Sequence, residues 1–305
     1  MAVMTENFNW FSDNGIYMPM INDTGRNIFY KAAIESAVAG KVVCDIGTGS
    51  GLLSIIAARA GADRVYAVEM DPGRAAFAQD IFNKLGLTNV EVINNNFLNT
   101  DIRADIFVSE TIGSQVFNEN IIAIAQHALR YGGEFIPARF DLRLVVYKNH
   151  PIFPMVQFRS DAFEFQPDIA IDPTYEDHIN TTFQAQHRPE DTIYRANCIH
   201  DLFRELPKFT DLKLTKLYET EALTVDLNTV DINNIRLHVP HSAVPSNTDL
   251  CAVLFWTARS GEHAMELTDT IWGYPSRIIL PHLRQPGADI ETWYDHSIQD
   301  WRYSF

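Results

Sequence analysis

The stretch Val42–Leu53, VVCDIGTGSGLL, decides the fold. Val42–Asp45 is apolar enough for a short buried strand, and it runs directly into glycines at 47, 49 and 51. Leu52–Ala60 follows as an apolar, alanine-rich helix, with Gly61 suited to its left-handed C-terminal cap. The chain has only 15 glycines in 305 residues, so three within five positions mark a place where backbone must approach a ligand closely. Working outward, Arg64–Glu69 reads as a second strand, and Asp71-Pro72 opens a helix through about Leu85, proline being harmless in a first turn. Val90–Ile93 and Ala104–Ser109 are further strands. A helix over Asn118–Leu129 and a Gly132-Gly133 turn then lead to Glu134–Ile136. Upstream, helices are expected around Ile21–Tyr30 and Tyr30–Val38. Strands alternating with helices in this way predict an α/β fold, a parallel sheet covered on both faces.

The pattern changes after Pro137. Arg139–Lys148, Leu214–Tyr218, Ala222–Leu227, Asn234–Val239, Leu250–Trp256 and Ser276–Leu280 are short, β-branched or aromatic runs punctuated by proline and asparagine. They predict a second, mostly antiparallel domain. The expected division is N-terminal helices over 1–40, a Rossmann-like domain over 41–137, and a strand-rich domain over 138–305. Residues 160–205 are polar and hold Pro167, Pro173 and Pro189, which fits an excursion better than a core.

The formal charge is −15, and it is uneven: residues 1–150 carry 12 Lys/Arg against 16 Asp/Glu, the remainder 12 against 23. That sign speaks against nucleic acid as a main partner and favours cationic ones. Cys44, Cys198 and Cys251 have neither disulfide nor zinc spacing. The N-terminus MAVMTENFNWF lacks the basic-then-apolar pattern of a secretory leader, and no run approaches 18 apolar residues. The expectation is a cytoplasmic chain with no membrane span. His178, His187, His200 and His263 are scattered, and no metal requirement is expected.

The glycine turn alone is shared by nicotinamide, flavin and S-adenosylmethionine sites. Glu69, 18 residues after Gly51 at the end of the second strand, can accept from both ribose hydroxyls of an adenosine. Dinucleotide folds use GxGxxG with a pyrophosphate over the helix start, whereas here Asp45 lies two residues before the first glycine. A carboxylate would repel a pyrophosphate there but would favour the ammonium of a methionine moiety. The balance points to S-adenosylmethionine.

Ser109–Asn120, SETIGSQVFNEN, follows a strand end, where such sheets place their chemistry. Glu110 is at the strand tip and Glu119 near the next helix start, where free N–H groups would keep its carboxylate ionised. A loop of nine residues can fold back and bring both carboxylates into one small site. Two such anions repel unless a cation lies between them, and a planar guanidinium can pair with both.

These segments resemble the S-adenosylmethionine-dependent arginine N-methyltransferases, usually called protein arginine methyltransferases. Asp45–Glu69 is similar to their cofactor-binding run and Ala104–Asn120 to their double-glutamate loop. The resemblance implies that Glu110 and Glu119 hold the substrate guanidinium and that the product is S-adenosylhomocysteine. It also implies that Gly15–Tyr30 forms a helix closing over the cofactor, with Arg26 on the methionine carboxylate and Met20 beside the methyl. Gly47, Gly49, Gly51, Leu52, Glu69, Met70, Asn95, Asn96 and Glu110 would line the cofactor site. Phe11, Tyr17, Met20 and Trp272 would join the glutamates around the substrate. A β-barrel-like domain and a dimerisation arm near 155–205, making a homodimer, complete what it implies. The family carries Thr-His-Trp in a late loop. Here that motif reads Thr270-Ile271-Trp272, so a carboxylate or water must take the proton. Asp23 stands where that histidine's carboxylate partner usually is. Free L-arginine, or a related small guanidino compound, is the leading expected substrate. Arginine within a protein, or a non-catalytic partner subunit, stays open beside it.

Overall fold

Val42–Ile46 forms β1, the central strand of a parallel sheet in the computed structural model. The structure describes residues 21–113, 116–117, 119–148, 194–195, 215–229, 232, 234–245, 250–267, 270, 277–280, 289–298 and 300–304. β2 (Arg64–Glu69), β3 (Val90–Asn94), β4 (Ile106–Ser109) and β5 (Glu134–Ile136) complete the sheet in the order β3-β2-β1-β4-β5. Every pairing in it is parallel, with Val43 opposite Val65 on one side and Ile106 on the other. The strand order reverses beside β1, so the crevice at the carboxyl ends of β1 and β4 is where such sheets bind ligands.

Among the described residues, four α-helices accompany the sheet: α1 (Thr24–Ala37), α2 (Leu52–Arg59), α3 (Pro72–Lys84) and α4 (Ile121–Ala128). The one or two helices expected over residues 21–38 form, from Thr24 on, a single helix, because neither glycine nor proline interrupts the run from Arg26 to Val38. Asp23 caps α1, its carboxylate accepting from the Arg26 N–H at 3.2 Å. Asp71 caps α3 in the same way, with Pro72 in the first turn. Gly51 opens α2 at φ +83°, and a Cβ there would lie 2.6 Å from the buried Phe82 ring. Only glycine satisfies both conditions. α4 begins at Ile121 rather than near Asn118, because Asn120 takes a left-handed φ of 68°.

Beyond the cis Ile136–Pro137 bond, β6 (Arg139–Lys148) pairs along its whole length with β11 (Leu250–Ser260), antiparallel, from Arg139 opposite Arg259 to Lys148 opposite Leu250. β6 alternates as a half-buried strand does, with Phe140, Leu142, Leu144 and Val146 inward. β7 (Tyr194–Arg195), β8 (Lys216–Glu219), β9 (Leu223–Asp226), β12 (His263–Glu266) and β13 (Arg277–Leu280) extend this sheet. A second antiparallel sheet joins β10 (Arg236–Val239), β14 (Ile290–Asp295) and β15 (Asp300–Ser304). The strand expected to stop at Trp256 runs on to Ser260 and turns back as β12, and β14 and β15 were not among the expected strands. Of the expected arm near 155–205, only Tyr194 and Arg195 are described, on the sheet edge beside β13. One apolar cluster runs from Phe107 and Phe135 of the parallel sheet to Phe140, Tyr294 and Trp301 of the antiparallel ones. No helix among the described residues is long and apolar enough to cross a membrane.

Candidate active site

A cavity of about 630 Å³ opens at the carboxyl ends of β1, β2 and β4, a volume typical of small-molecule sites. Its lining includes the turn Gly47–Ser50, Glu69 and Met70 at the end of β2, and Glu110 and Glu119 after β4. Arg26 of α1 lines it too, as do Trp256, Met265, Leu267 and Thr270 of the antiparallel domain.

Glu69 is held at both oxygens: the Gly49 N–H donates to Oε2 at 3.0 Å and the Asp71 N–H to Oε1 at 3.0 Å. The carboxylate therefore has one orientation and keeps spare lone pairs toward the cavity, as a receptor for vicinal hydroxyls requires. Asn94 braces the strand end behind it, its amide donating to the Glu69 carbonyl at 2.8 Å. Asn95 and Asn96 line the adjoining rim, although the Asn96 side chain already accepts from the Leu98 N–H at 3.0 Å. Arg74 and Phe97 also line this end, and the sequence reading did not single them out. Arg74 sits in the first turn of a helix whose start was recognised, which is the signal that could have found it.

Two expected contacts are corrected. Asp45 does not line the cavity. It is buried beneath the turn, where Oδ2 accepts from the hydroxyls of Thr48 at 2.7 Å and Ser54 at 2.6 Å. Burial raises its pKa above the usual carboxylate range, against the lowering effect of those hydroxyls. Through Oδ2 it ties the turn to α2. Gly51 likewise lies outside the lining and faces Phe82.

Glu110 follows β4 at a strand end pinned from behind, where the Tyr30 hydroxyl donates to the Ser109 carbonyl at 2.9 Å. Its Oε2 receives Nη2 of Arg26 at 3.0 Å, with both side chains about nine-tenths buried. The Arg26 guanidinium also lies 5.9 Å from the Tyr30 ring centroid. Burial drives the Glu110 pKa up to about 7; Arg26 opposes this, and the negative charge of Glu119 adds to it. The two glutamates therefore share one electrostatic environment.

Glu119 lies in a turn closed by the Asn120 N–H donating to the Phe117 carbonyl at 3.2 Å. It is solvent-accessible because the cavity it faces is wide enough for water, yet protein encloses the carboxyl on enough sides that desolvation raises its pKa. The expected lowering by helix N–H groups is reversed, since α4 starts two residues later and Asn120 does not cap it with its side chain. Leu52 lines the cavity at the start of α2, and Met70 stands exposed at its edge. Phe11, Tyr17, Met20 and Trp272 lie outside the described residues.

A family model described as a methyltransferase domain matches residues 37–186. Over 143 residues the chain is 37% identical to an arginine N(omega)-methyltransferase of Streptomyces achromogenes subsp. streptozoticus, covering 42% of this chain and 40% of that protein. It is 33% identical over 166 residues to protein arginine N-methyltransferase 6 of Xenopus tropicalis, covering 52% of this chain and 49% of that one. Mouse protein arginine N-methyltransferase 9 is 36% identical over 136 residues, 40% of this chain and 16% of that protein. The chain thus spans half or less of the length of these relatives. In three dimensions it resembles a PRMT6 crystal structure with SAH, at TM-score 0.62 and 19% identity over 95% of this chain and 98% of that one. A Trypanosoma brucei PRMT1 enzyme-prozyme heterotetrameric complex with AdoHcy gives TM-score 0.62 at 18% identity, over 92% and 87%. At these identities the structural likeness speaks for the two-domain fold alone. The chain is thus similar to methyltransferase-domain proteins over residues 37–186, to arginine N-methyltransferases over about half of its length, and to PRMT structures in its two-domain fold.

Proposed function

We propose that the chain is an S-adenosylmethionine-dependent N-methyltransferase acting on the guanidino group of arginine. The observation that carries this reading is the joint presence of Glu110 and Glu119 in the lining of the cavity that also holds Glu69 and the glycine turn, with the charge of Glu119 felt at Glu110. Both carboxylates have raised pKa values, Glu110 even with Arg26 beside it, and a further bound cation would favour the ionised form of each. Glu110 already takes a guanidinium from the chain itself, that of Arg26. The cofactor residues fit the group: Glu69 for the ribose hydroxyls, the Gly47–Ser50 backbone against the methionine moiety, and Arg26 for its carboxylate.

When bound, S-adenosylmethionine supplies a methyl group made electrophilic by its sulfonium. The chain's own residues supply the rest. Glu119, on one guanidinium edge, draws positive charge away from the attacking nitrogen, and Glu110 fixes the other edge. A guanidinium stays protonated near neutral pH, so positioning and charge redistribution replace deprotonation before attack. With Ile271 in place of the family histidine, a carboxylate or water takes up the proton that the product releases.

Free L-arginine is the leading substrate, in keeping with the Streptomyces relative named above. Arginine-rich protein segments are the second reading, favoured by the 23 acidic residues against 12 basic ones after residue 150. A homodimer built through the 155–205 segment and a cytoplasmic setting for the unpaired thiols belong to the same proposal. Isotope-labelled cofactor with free L-arginine and, separately, an arginine–glycine peptide, read by mass spectrometry, decides between the substrates. Methyl transfer to neither by the purified chain refutes the proposal.

A further inference from the structure

Phe117 is fully buried two residues before Glu119, and three aromatic side chains hold it. Trp301 of β15 stacks on it at 6.0 Å with 16° between the rings. Tyr294 of β14 meets it edge-on at 5.5 Å, and Phe140 of β6 does the same at 5.5 Å from another side. The Tyr294 hydroxyl also donates to the Phe117 carbonyl at 3.2 Å, the same oxygen that accepts from the Asn120 N–H at 3.2 Å. One carbonyl thus closes the turn that carries Glu119 and ties that turn to the C-terminal hairpin.

The turn needs holding. Val116 is β-branched, fully buried and at φ +58°, a left-handed conformation that such residues avoid. Asn120 at the other end is also left-handed, at φ +68°. Strain of this kind persists only where the surroundings over-determine it. Here the surroundings are Val116 bonded back to Gly113 at 2.9 Å and the aromatic socket around Phe117.

We infer that Tyr294 and Trp301 are positioning residues for the double-glutamate site, acting through Phe117 to set Glu119 beside Glu110. The inference rests on the guanidine-methylation reading. It makes the last strands of the antiparallel domain part of the apparatus that aligns the acceptor, although they lie 177 residues from the loop in sequence.

Tyr294→Phe deletes the hydroxyl and keeps the ring, so it tests the link without emptying the core. The expected result is a fall of about tenfold in kcat with the affinity for S-adenosylhomocysteine within twofold of the original, since a small misplacement of a reacting group costs rate before it costs binding elsewhere. The pH midpoint for binding the guanidino substrate also moves down. Glu110 is faced by Arg26, Glu119 and Asp23, and loosening Glu119 removes one of the two negative neighbours. A purely structural hydrogen bond lowers the melting temperature and leaves that midpoint in place. Trp301→Leu is expected to reproduce the loss in kcat, and Trp301→Phe, which keeps a stacked ring, to restore it to within about threefold. Should Trp301→Leu fail to fold, Tyr294→Phe decides alone. Full kcat and an unmoved pH profile in Tyr294→Phe overturn the inference, whatever its melting temperature. An original chain that methylates no guanidino acceptor overturns the functional reading instead, and this inference with it.

Discussion

Raising the pH from 6 to 8 is expected to tighten the binding of a guanidino substrate, and the magnitude follows from Glu110. Its carboxyl sits at about 7 in the absence of substrate, raised first by burial and, despite Arg26, by the charge of Glu119. A group titrating there is about nine-tenths protonated at pH 6 and about one-tenth at pH 8. A guanidinium binds the ionised form and returns its carboxyl toward the ordinary range. Binding therefore releases close to one proton near pH 6 and almost none at pH 8, and the association constant rises about tenfold across the interval. The guanidinium of the ligand loses no proton below pH 12 or so and adds no slope of its own. Burial also raises Glu119, so its titration works in the same direction. Calorimetry of L-arginine against the protein saturated with S-adenosylhomocysteine, in two buffers of different ionisation enthalpy, measures both affinity and proton release. In Glu119→Gln, one repelling charge is gone and the midpoint moves below 7. Affinity that stays flat or weakens between pH 6 and 8 refutes the view that two desolvated carboxylates await a cation.

Four further outcomes follow from the geometry. Glu119→Gln is expected to cut turnover by about 100-fold while leaving S-adenosylhomocysteine affinity nearly intact, the scale of losing one positioned electrostatic contact; calorimetry showing lost cofactor-product affinity defeats the assignment. Glu69→Ala removes the acceptor of the Gly49 and Asp71 N–H groups together with the cavity carboxylate, so its ligand affinity falls by about tenfold or more. Asp45→Ala, which removes the Oδ2 bonds to Thr48 and Ser54, is expected to weaken ligand binding less, and the reverse order speaks against Glu69 as the ribose acceptor. Gly51→Ala presses a Cβ to 2.6 Å from Phe82 at φ +83°, costing about 2–4 kcal/mol of stability, and an unchanged melting temperature contradicts that packing.

The parallel half of the fold was legible because its signals are local. A strand, a glycine turn and a helix occupy about 20 consecutive residues at Val42–Arg59, and each strand end carries its functional carboxylate within one or two positions. What was misread depends on direction rather than proximity. Asp45 is close to the turn in sequence, but on β1 its side chain points to Ser54 of α2 and away from the cavity. Glu119 is close to a helix start, but a left-handed Asn120 delays the helix and leaves burial to set its pKa. β14 alternates buried Ile290, Thr292 and Tyr294 with outward Glu291, Trp293 and Asp295, a period of two that could have been found. Its contact with Phe117 could not, because nothing in either segment encodes a pairing across 177 residues.

That long-range contact explains why the chemistry needs both halves of the chain. A parallel sheet alone presents Glu110 at a strand end and Glu69 on the other side of the switch point, and each is anchored by its own backbone neighbourhood. Glu119 has no such anchor, since it rides on a turn with strained residues at both flanks. Left to local preferences, the two carboxylates would drift apart, because the charge of Glu119 disfavours the ionised form of Glu110. The apolar cluster around Phe117 opposes that motion from below, with side chains at 0–4% exposure drawn from β6, β14 and β15. The antiparallel domain thus contributes more than the Trp256–Thr270 wall of the cavity. On the proposed reading its packed aromatic surface holds the turn that carries Glu119 in place, so that Glu119 and Glu110 can receive one substrate guanidinium together.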